Sequence, residues 1–315
     1  MKKPFQSLRI VFMGTPEFAV ASLDALVKAG CHIVGVITAP DKPAGRGMKL
    51  NESAVKKYAV EQGLKILQPE KLKNPEFLTE LKFLNADLFI VVAFRMLPEA
   101  VWNMPPMGTI NLHGSLLPQY RGAAPINRAV INGEKETGVT TFKLKHEVDT
   151  GDILLQEKFP VDENETAGEV HDRMKDIGGK LLVKTIEGLA AGTLEVLPQT
   201  TISFQKSGIL HHAPKIFSEN CKIDFNKTVD EVHNLIRGLS PFPGAFTRFD
   251  GKILKIFRSE NEISSVSSKP GQWESDKKTF LKFACTDGYI LLKDVQLEGK
   301  KRMPVEEFLR GYRFV

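Results

Sequence analysis

Apolar residues come in short uninterrupted runs through the first two thirds of this chain and in briefer, turn-bounded runs thereafter. Residues 9–14, RIVFMG, are apolar after the first position and end in glycine. Thr15, Pro16 and Glu17 follow as an N-cap, a first-turn proline and a first-turn acid, so a helix is expected directly behind the strand. Phe18, Leu23, Leu26 and Val27 share one side of that helix, and Gly30 stops it. Residues 32–38, 65–67 and 87–94 (DLFIVVAF) are further strand candidates, and 87–94 shows no polar alternation. A strand without a polar face must be covered on both sides, as in a parallel sheet flanked by helices. Helical patterns at 52–62 and 75–84 alternate with these runs, which predicts an α/β fold with a doubly wound, mostly parallel, Rossmann-like sheet. Residues 109–112 and 138–144 continue the strands. Residues 166–189 read as a long helix, with Val170, Met174, Ile177, Leu181, Leu182 and Ile186 at helical spacing.

The pattern changes after Gly192. Residues 193–205 read as an extended linker, followed by β-rich segments at 222–225, 244–249, 253–257, 280–284 and 289–295. Asp250-Gly251 and Asp287-Gly288 supply turns between them, and one helix spans 229–237. A small OB-like β-barrel is the expectation. With 315 residues, two domains follow: α/β from 1 to 190, a linker from 191 to 208, and the barrel from 209 to 315. On this division a fragment ending near Phe204 would retain a complete α/β core.

Composition narrows the class. No run approaches the roughly 20 apolar residues of a membrane span, and the apolar stretch behind Lys2 and Lys3 is shorter than the roughly seven residues of a signal sequence. Cys31, Cys221 and Cys285 are odd in number and widely spaced, which fits reduced thiols in the cytoplasm. The histidines lack metal-site spacing, so no metal is expected. The net charge is +5. Lys+Arg and Asp+Glu balance at 24 each up to Phe204, and stand at 19 against 14 beyond it. A basic C-terminal third suits a polyanionic partner, or simply a soluble surface.

Four segments could carry chemistry. Gly14-Thr15-Pro16 follows the first strand but lacks the later glycines that let a backbone approach a pyrophosphate. Asn111-Leu112-His113-Gly114-Ser115-Leu116-Leu117-Pro118 leaves a strand at the carboxyl edge of the sheet, where open α/β folds place their sites. Alternation puts Asn111 and His113 on one face, aiming an amide donor and an imidazole at one point, as reaction at a carbonyl requires. A hydrogen-bonded strand end would explain the same pair. Asp149, in Asp149-Thr150-Gly151, could orient His113 or take a proton through water if its strand neighbours the first; a self-capping turn is the alternative. Residues 41–49, DKPAGRGMK, form a Pro- and Gly-rich loop with three cations, Lys42, Arg46 and Lys49, suited to covering a ligand or to plain solvent exposure.

GTPEFA (14–19), DKPAGRG (41–47), NLHGSLLPQYRGAAPIN (111–127), VDTGDIL (148–154) and SPFPGAFT (240–247) occur in this order, and with them the chain resembles the methionyl-tRNA formyltransferase family along its full length. The resemblance implies a monomeric cytoplasmic enzyme that transfers the formyl group of 10-formyltetrahydrofolate to initiator methionyl-tRNA. It implies that Asn111, His113 and Asp149 are catalytic, that Ser115, Leu116, Leu117 and Pro118 bind the folate, and that Arg46, with Lys42 and Lys49, meets the tRNA. Formyltransferases acting on small amines resemble only the first 200 or so residues, and a non-catalytic RNA-binding protein would not need the trio. One departure stands out: Ala93-Phe94-Arg95-Met96-Leu97-Pro98 is one residue shorter than the family's A-Y-G-x-I-L-P, in the segment expected to wall the pterin pocket.

Overall fold

The computed structural model describes residues 4–44, 49–201 and 209–314. In chain order the elements begin with β1 (Arg9–Gly14), α1 (Glu17–Lys28), β2 (His32–Ile37), β3 (Lys42–Ala44), β4 (Lys49–Asn51), α2 (Ala54–Glu61), β5 (Ile66–Leu67), α3 (Pro75–Phe83), β6 (Leu88–Val92), α4 (Glu99–Trp102) and β7 (Thr109–His113). They continue with β8 (Arg121–Gly122), α5 (Pro125–Ile131), β9 (Glu136–Lys143), β10 (Ile153–Pro160), α6 (Ala167–Ala191), β11 (His212–Ala213), α7 (Val229–Gly238), β12 (Ala245–Phe249), β13 (Lys252–Ile263), β14 (Trp273–Ser275), β15 (Leu281–Ala284), β16 (Gly288–Leu297), β17 (Met303–Pro304) and α8 (Val305–Gly311). Two compact units interleave along the chain. One comprises Met1–Arg121, Gly138–Lys158 and Asp172–His211; the other comprises Gly122–Thr137, Phe159–His171 and His212–Val315.

The first unit is built on a sheet of order β10-β9-β7-β6-β1-β2-β5. β1 pairs in parallel with β2 and β6, and β6 with β7, whereas β9 runs antiparallel to β7. The fold is the doubly wound, mostly parallel, Rossmann-like α/β sheet expected from the sequence. Ile10, Val11, Phe12 and Met13 are fully buried, as are Leu88, Ile90 and Val92, so both faces of the central strands are covered. α1 starts one residue later than the sequence suggests. Pro16 stands at its N-cap without a side-chain bond, so Thr15 does not cap it, and Glu17 sits in the first turn. Gly30, at φ +75°, follows the helix as expected. α2 and α3 begin at Ser53 and Asn74, whose side chains accept from the amides of Lys56 and Glu76.

The second unit carries an antiparallel sheet of order β12-β13-β16-β15-β14, with β17 on β16. It curls as a half-barrel whose edge strands β12 and β14 share no hydrogen bonds, but the rings of Phe249 and Trp273 meet across them at 5.1 Å. α7 fills the concave core with Val229, Val232 and Ile236, and α8 adds Val305, Phe308 and Leu309. A capping box between Thr228 and Glu231 begins α7. Residues 222–225 form no strand, only a bridge from Lys222 to Phe246. Within this unit the buried Arg237 donates to the carbonyls of Asp162 and Glu165 at 3.2 and 3.0 Å. The Gly168 amide reaches the carbonyl of Ser240, and the Asn127 side chain that of Gly238.

Cys31, Cys221 and Cys285 are buried free thiols. Burial, and then the charge of Asp287, push Cys285 up to about 12, which keeps it protonated and unreactive. Among the described residues no helix is long and apolar enough to cross a membrane.

Candidate active site

β7 carries two of the candidate trio, and the third, Asp149, lies between β9 and β10. His113 stands opposite Thr140 of β9 and Asn111 opposite Phe142, so the strands carrying Asn111, His113 and the approach to Asp149 are neighbours. His113 is buried, and its ring meets Phe142 edge-on at 6.4 Å. Its Nε2 lies 2.9 Å from the carbonyl of Tyr120 and its Nδ1 3.9 Å from Oδ2 of Asp149. A carbonyl can only accept, so Nε2 carries a proton, and Nδ1 faces the carboxylate. The ring is therefore oriented by the Tyr120 carbonyl, while the Asp149 carboxylate is too distant from Nδ1 for a hydrogen bond. Among the described residues the half-buried Asn111 amide has no hydrogen-bond partner, leaving its N–H groups available to a ligand oxygen.

Asp149 is buried and adopts φ +56°, the left-handed region that Asp tolerates better than most residues. Thr150 Oγ1 donates to the Glu147 carbonyl, so the self-capping turn and the buried carboxylate occur together. Gly151 passes so close to β9 that a Cβ there would lie 1.6 Å from the carbonyl oxygen of Lys143.

The segment Ser115-Leu116-Leu117-Pro118 is clamped from β9 and β10. The buried Thr140 hydroxyl donates to the Ser115 carbonyl at 2.6 Å and accepts from the Leu117 amide at 3.1 Å. Gln156 bonds both the Leu117 carbonyl and Thr140 Oγ1. Ser115 Oγ closes the loop onto the Gln119 carbonyl at 2.6 Å. The loop thus presents a fixed backbone, the kind of surface that takes a planar heterocycle through directed N–H and C=O groups. In the shortened segment behind β6, Ala93 has φ +47°, and Arg95 donates to the carbonyls of Glu70 and Pro69 while lying over the Phe94 ring.

Lys42 is exposed in the β3–β4 hairpin, and among the described residues no hydrogen bond or ion pair joins it to the trio. Arg46 lies outside the described residues, and so does the side chain of Lys49. Just before the hairpin, Asp41 bonds Lys56 and Gln68. Its carboxyl is held below the usual range first by the bond from Lys56, then by that from Gln68. Sequence reasoning did not single out Tyr120, Thr140 or Gln156, which organise the site, nor Gln199, whose side chain meets the Asp149 turn.

Comparisons agree with this architecture. The formyl transferase family model matches residues 8–186, and the formyl transferase C-terminal domain model matches 215–313. A methionyl-tRNA formyltransferase of Azobacteroides pseudotrichonymphae is 54% identical over 316 residues, covering 98% of this chain and 97% of the relative. The Bacteroides fragilis methionyl-tRNA formyltransferase is 50% identical over 317 residues, covering 99% and 97%. An N-formyltransferase from Helicobacter canadensis, solved with folinic acid and dTDP-3-aminofucose, shares the fold, with TM-score 0.65, 22% identity, and coverage of 94% of this chain and all of that one, so the likeness to a formyltransferase holding an amino sugar nucleotide extends well past the first 200 or so residues expected from the sequence. With half-identical relatives along nearly its whole length and both domain models in register, this chain belongs to the methionyl-tRNA formyltransferases, an enzyme family of the formyl transferase fold.

Proposed function

We propose that this enzyme transfers the formyl group of 10-formyltetrahydrofolate to the α-amine of the methionyl group on initiator methionyl-tRNA, as a monomer in the cytoplasm. The observation that carries the assignment of residues is His113, fixed at Nε2 by the Tyr120 carbonyl with its Nδ1 toward Asp149.

The chemistry follows from that geometry. As the amine lone pair forms the new N–C bond, negative charge gathers on the formyl oxygen, where the Asn111 amide, and His113 once its Nδ1 carries the proton, can stabilise it. The attacking nitrogen must lose a proton and the departing folate N10 must gain one. His113 Nδ1 is able to accept the first, and the imidazolium so formed is steadied by the Asp149 carboxylate before it returns a proton to the leaving nitrogen as the C–N10 bond breaks. Ser115, Leu116, Leu117 and Pro118 hold the folate, their backbone kept in place by Thr140 and Gln156. Lys42, Arg46 and Lys49 meet the tRNA, and residues 209–315, beyond the 191–208 linker, supply its remaining phosphate contacts while 1–190 carry the catalytic site.

The test is single-turnover formylation of charged initiator tRNA, charged elongator methionine tRNA, and small amines such as an amino sugar nucleotide. Formylation of the initiator species, reduced at least 100-fold in H113A with folding intact, is the expected result. Preference for a small amine would overturn the acceptor, and near-normal turnover in H113A would overturn the residue assignment.

A further inference from the structure

Gln199 follows α6 in the stretch where the sequence suggests an extended linker, yet it is 3% exposed and every hydrogen-bonding position of its amide is used. Its Nε2 donates to the carbonyls of Asp149 and Gly151 at 2.9 and 2.7 Å. Its Oε1 accepts from Nε and Nη2 of Arg121 at 3.0 and 2.6 Å. Carbonyls only accept and a guanidinium only donates, so the amide fits in one orientation alone.

These bonds join the two segments on which the trio depends. Arg121 follows Tyr120, whose carbonyl fixes Nε2 of His113. Asp149 and Gly151 frame the turn that carries the carboxylate, with Asp149 in the left-handed region. A backbone held there by two carbonyl bonds aims its side chain in a direction it would leave once those bonds were lost, since the right-handed and extended regions are more favourable for a residue with a Cβ. The same stretch of chain is stitched to the Tyr120 segment a second time. The Tyr120 amide donates to the His211 carbonyl at 2.7 Å, and Gln119 accepts from the His211 amide at 2.8 Å.

We propose that Gln199 is a positioning residue for formyl transfer, one side chain that sets the separation between the Asp149 carboxylate and the His113 ring. The inference rests on the assignment of Asp149 and His113 made above. Gln199 touches no reacting atom and acts through Asp149.

The experiment compares wild type, Q199M, D149N and the Q199M/D149N double variant in single-turnover and steady-state formylation of charged initiator tRNA, with a thermal melt of each. Methionine keeps the length of the side chain and removes both donors and the acceptor. A displacement of about 1 Å at a reacting centre lowers a rate by about 100-fold. Q199M is therefore expected to lower kcat by about 10- to 100-fold while the KM for tRNA and for folate stays within about threefold. Because Gln199 acts through Asp149, the double variant should be no slower than D149N alone by more than about threefold, whereas a general structural defect would multiply with it. If Q199M does not fold, Q199E carries the same test, because it keeps the acceptor for Arg121 and loses both donors to the Asp149 turn. A folded Q199M or Q199E with near-normal kcat beside an inactive D149N would overturn the inference and leave the trio standing, as would multiplying effects in the double variant. Near-normal turnover of D149N would remove Asp149 from the chemistry and the inference with it.

Discussion

Replacing Gly151 by alanine tests whether the Asp149 turn must lie where it does. The added methyl would sit 1.6 Å from the carbonyl oxygen of Lys143 and 2.8 Å from its carbon, where real Cβ contacts stay beyond 3.0 Å, so one backbone must move by about 1.4 Å. Lys143 is the less movable partner. It closes the β9 ladder against Ile110 of β7, and its amide also donates to the Asp152 carbonyl at 3.0 Å. The turn must therefore give way, stretching that last bond at a cost of about 1 kcal/mol and carrying Asp149, two residues upstream, away from His113. A shift of about 1 Å translates to about 100-fold in rate, or about 2.7 kcal/mol in the barrier. Single-turnover formylation should show that loss in G151A with a melting temperature lowered by only a few degrees. G311A is the control, since a Cβ there meets nothing within 4 Å and should leave the rate unchanged. A folded G151A enzyme within threefold of the wild-type rate would refute the argument.

Other expectations concern single side chains. R46A should reduce formylation of initiator methionyl-tRNA severely, and R46K should restore it only in part, because an ammonium lacks the planar fork of a guanidinium; a raised KM for folate with normal tRNA dependence would instead assign the loop to the donor pocket. Burial holds the His233 imidazole below its ordinary value of 6.5, opposed by the carbonyl of Glu163 and reinforced by Arg237. The unfolded chain then binds the proton more readily, so stability is fully present above about pH 6.5 and falls as pH drops toward the folded value, by at most about 1.4 kcal/mol per pH unit. H233Q, which can still bond Ser259, should flatten that decline in urea midpoints between pH 7.5 and 5.5; equal slopes in the two proteins would show that other groups carry it.

Much of the fold could be read from local pattern, because the central strands are apolar on both faces and α2 and α3 begin at capping residues. His113 was visible for a related reason, as a polar residue closing a buried strand with Asn111 two places before it. What escaped was long-range. Thr140 reaches Leu117 across 23 residues, Gln156 reaches it across 39, and Gln199 reaches Asp149 across 50, each as a lone polar side chain with no pattern around it. In the C-terminal third, 253–257 was only the start of β13. Register shifts on either side of Arg258 break the alternation, and the strand continues to Ile263 beyond them. β14 and α8, at three and seven residues, are too short to show a period.

The interleaving of the two units has a bearing on how the chain is made. Gly122–Thr137 and Phe159–His171 leave the ribosome well before the residues they pack with, since the carbonyls of Asp162 and Glu165 meet Arg237 across 75 and 72 residues. At about 5–20 residues per second, that wait is about 4–15 s. A chain released near Phe204 would carry those segments without Arg237, Gly238 or Ser240 to receive them, so they are expected to stay unpacked in it, although every strand of the seven-stranded sheet is already present. Completion of synthesis itself becomes the step that closes the second unit, and a nascent chain stalled before Arg237 would be a natural substrate for chaperones and proteases.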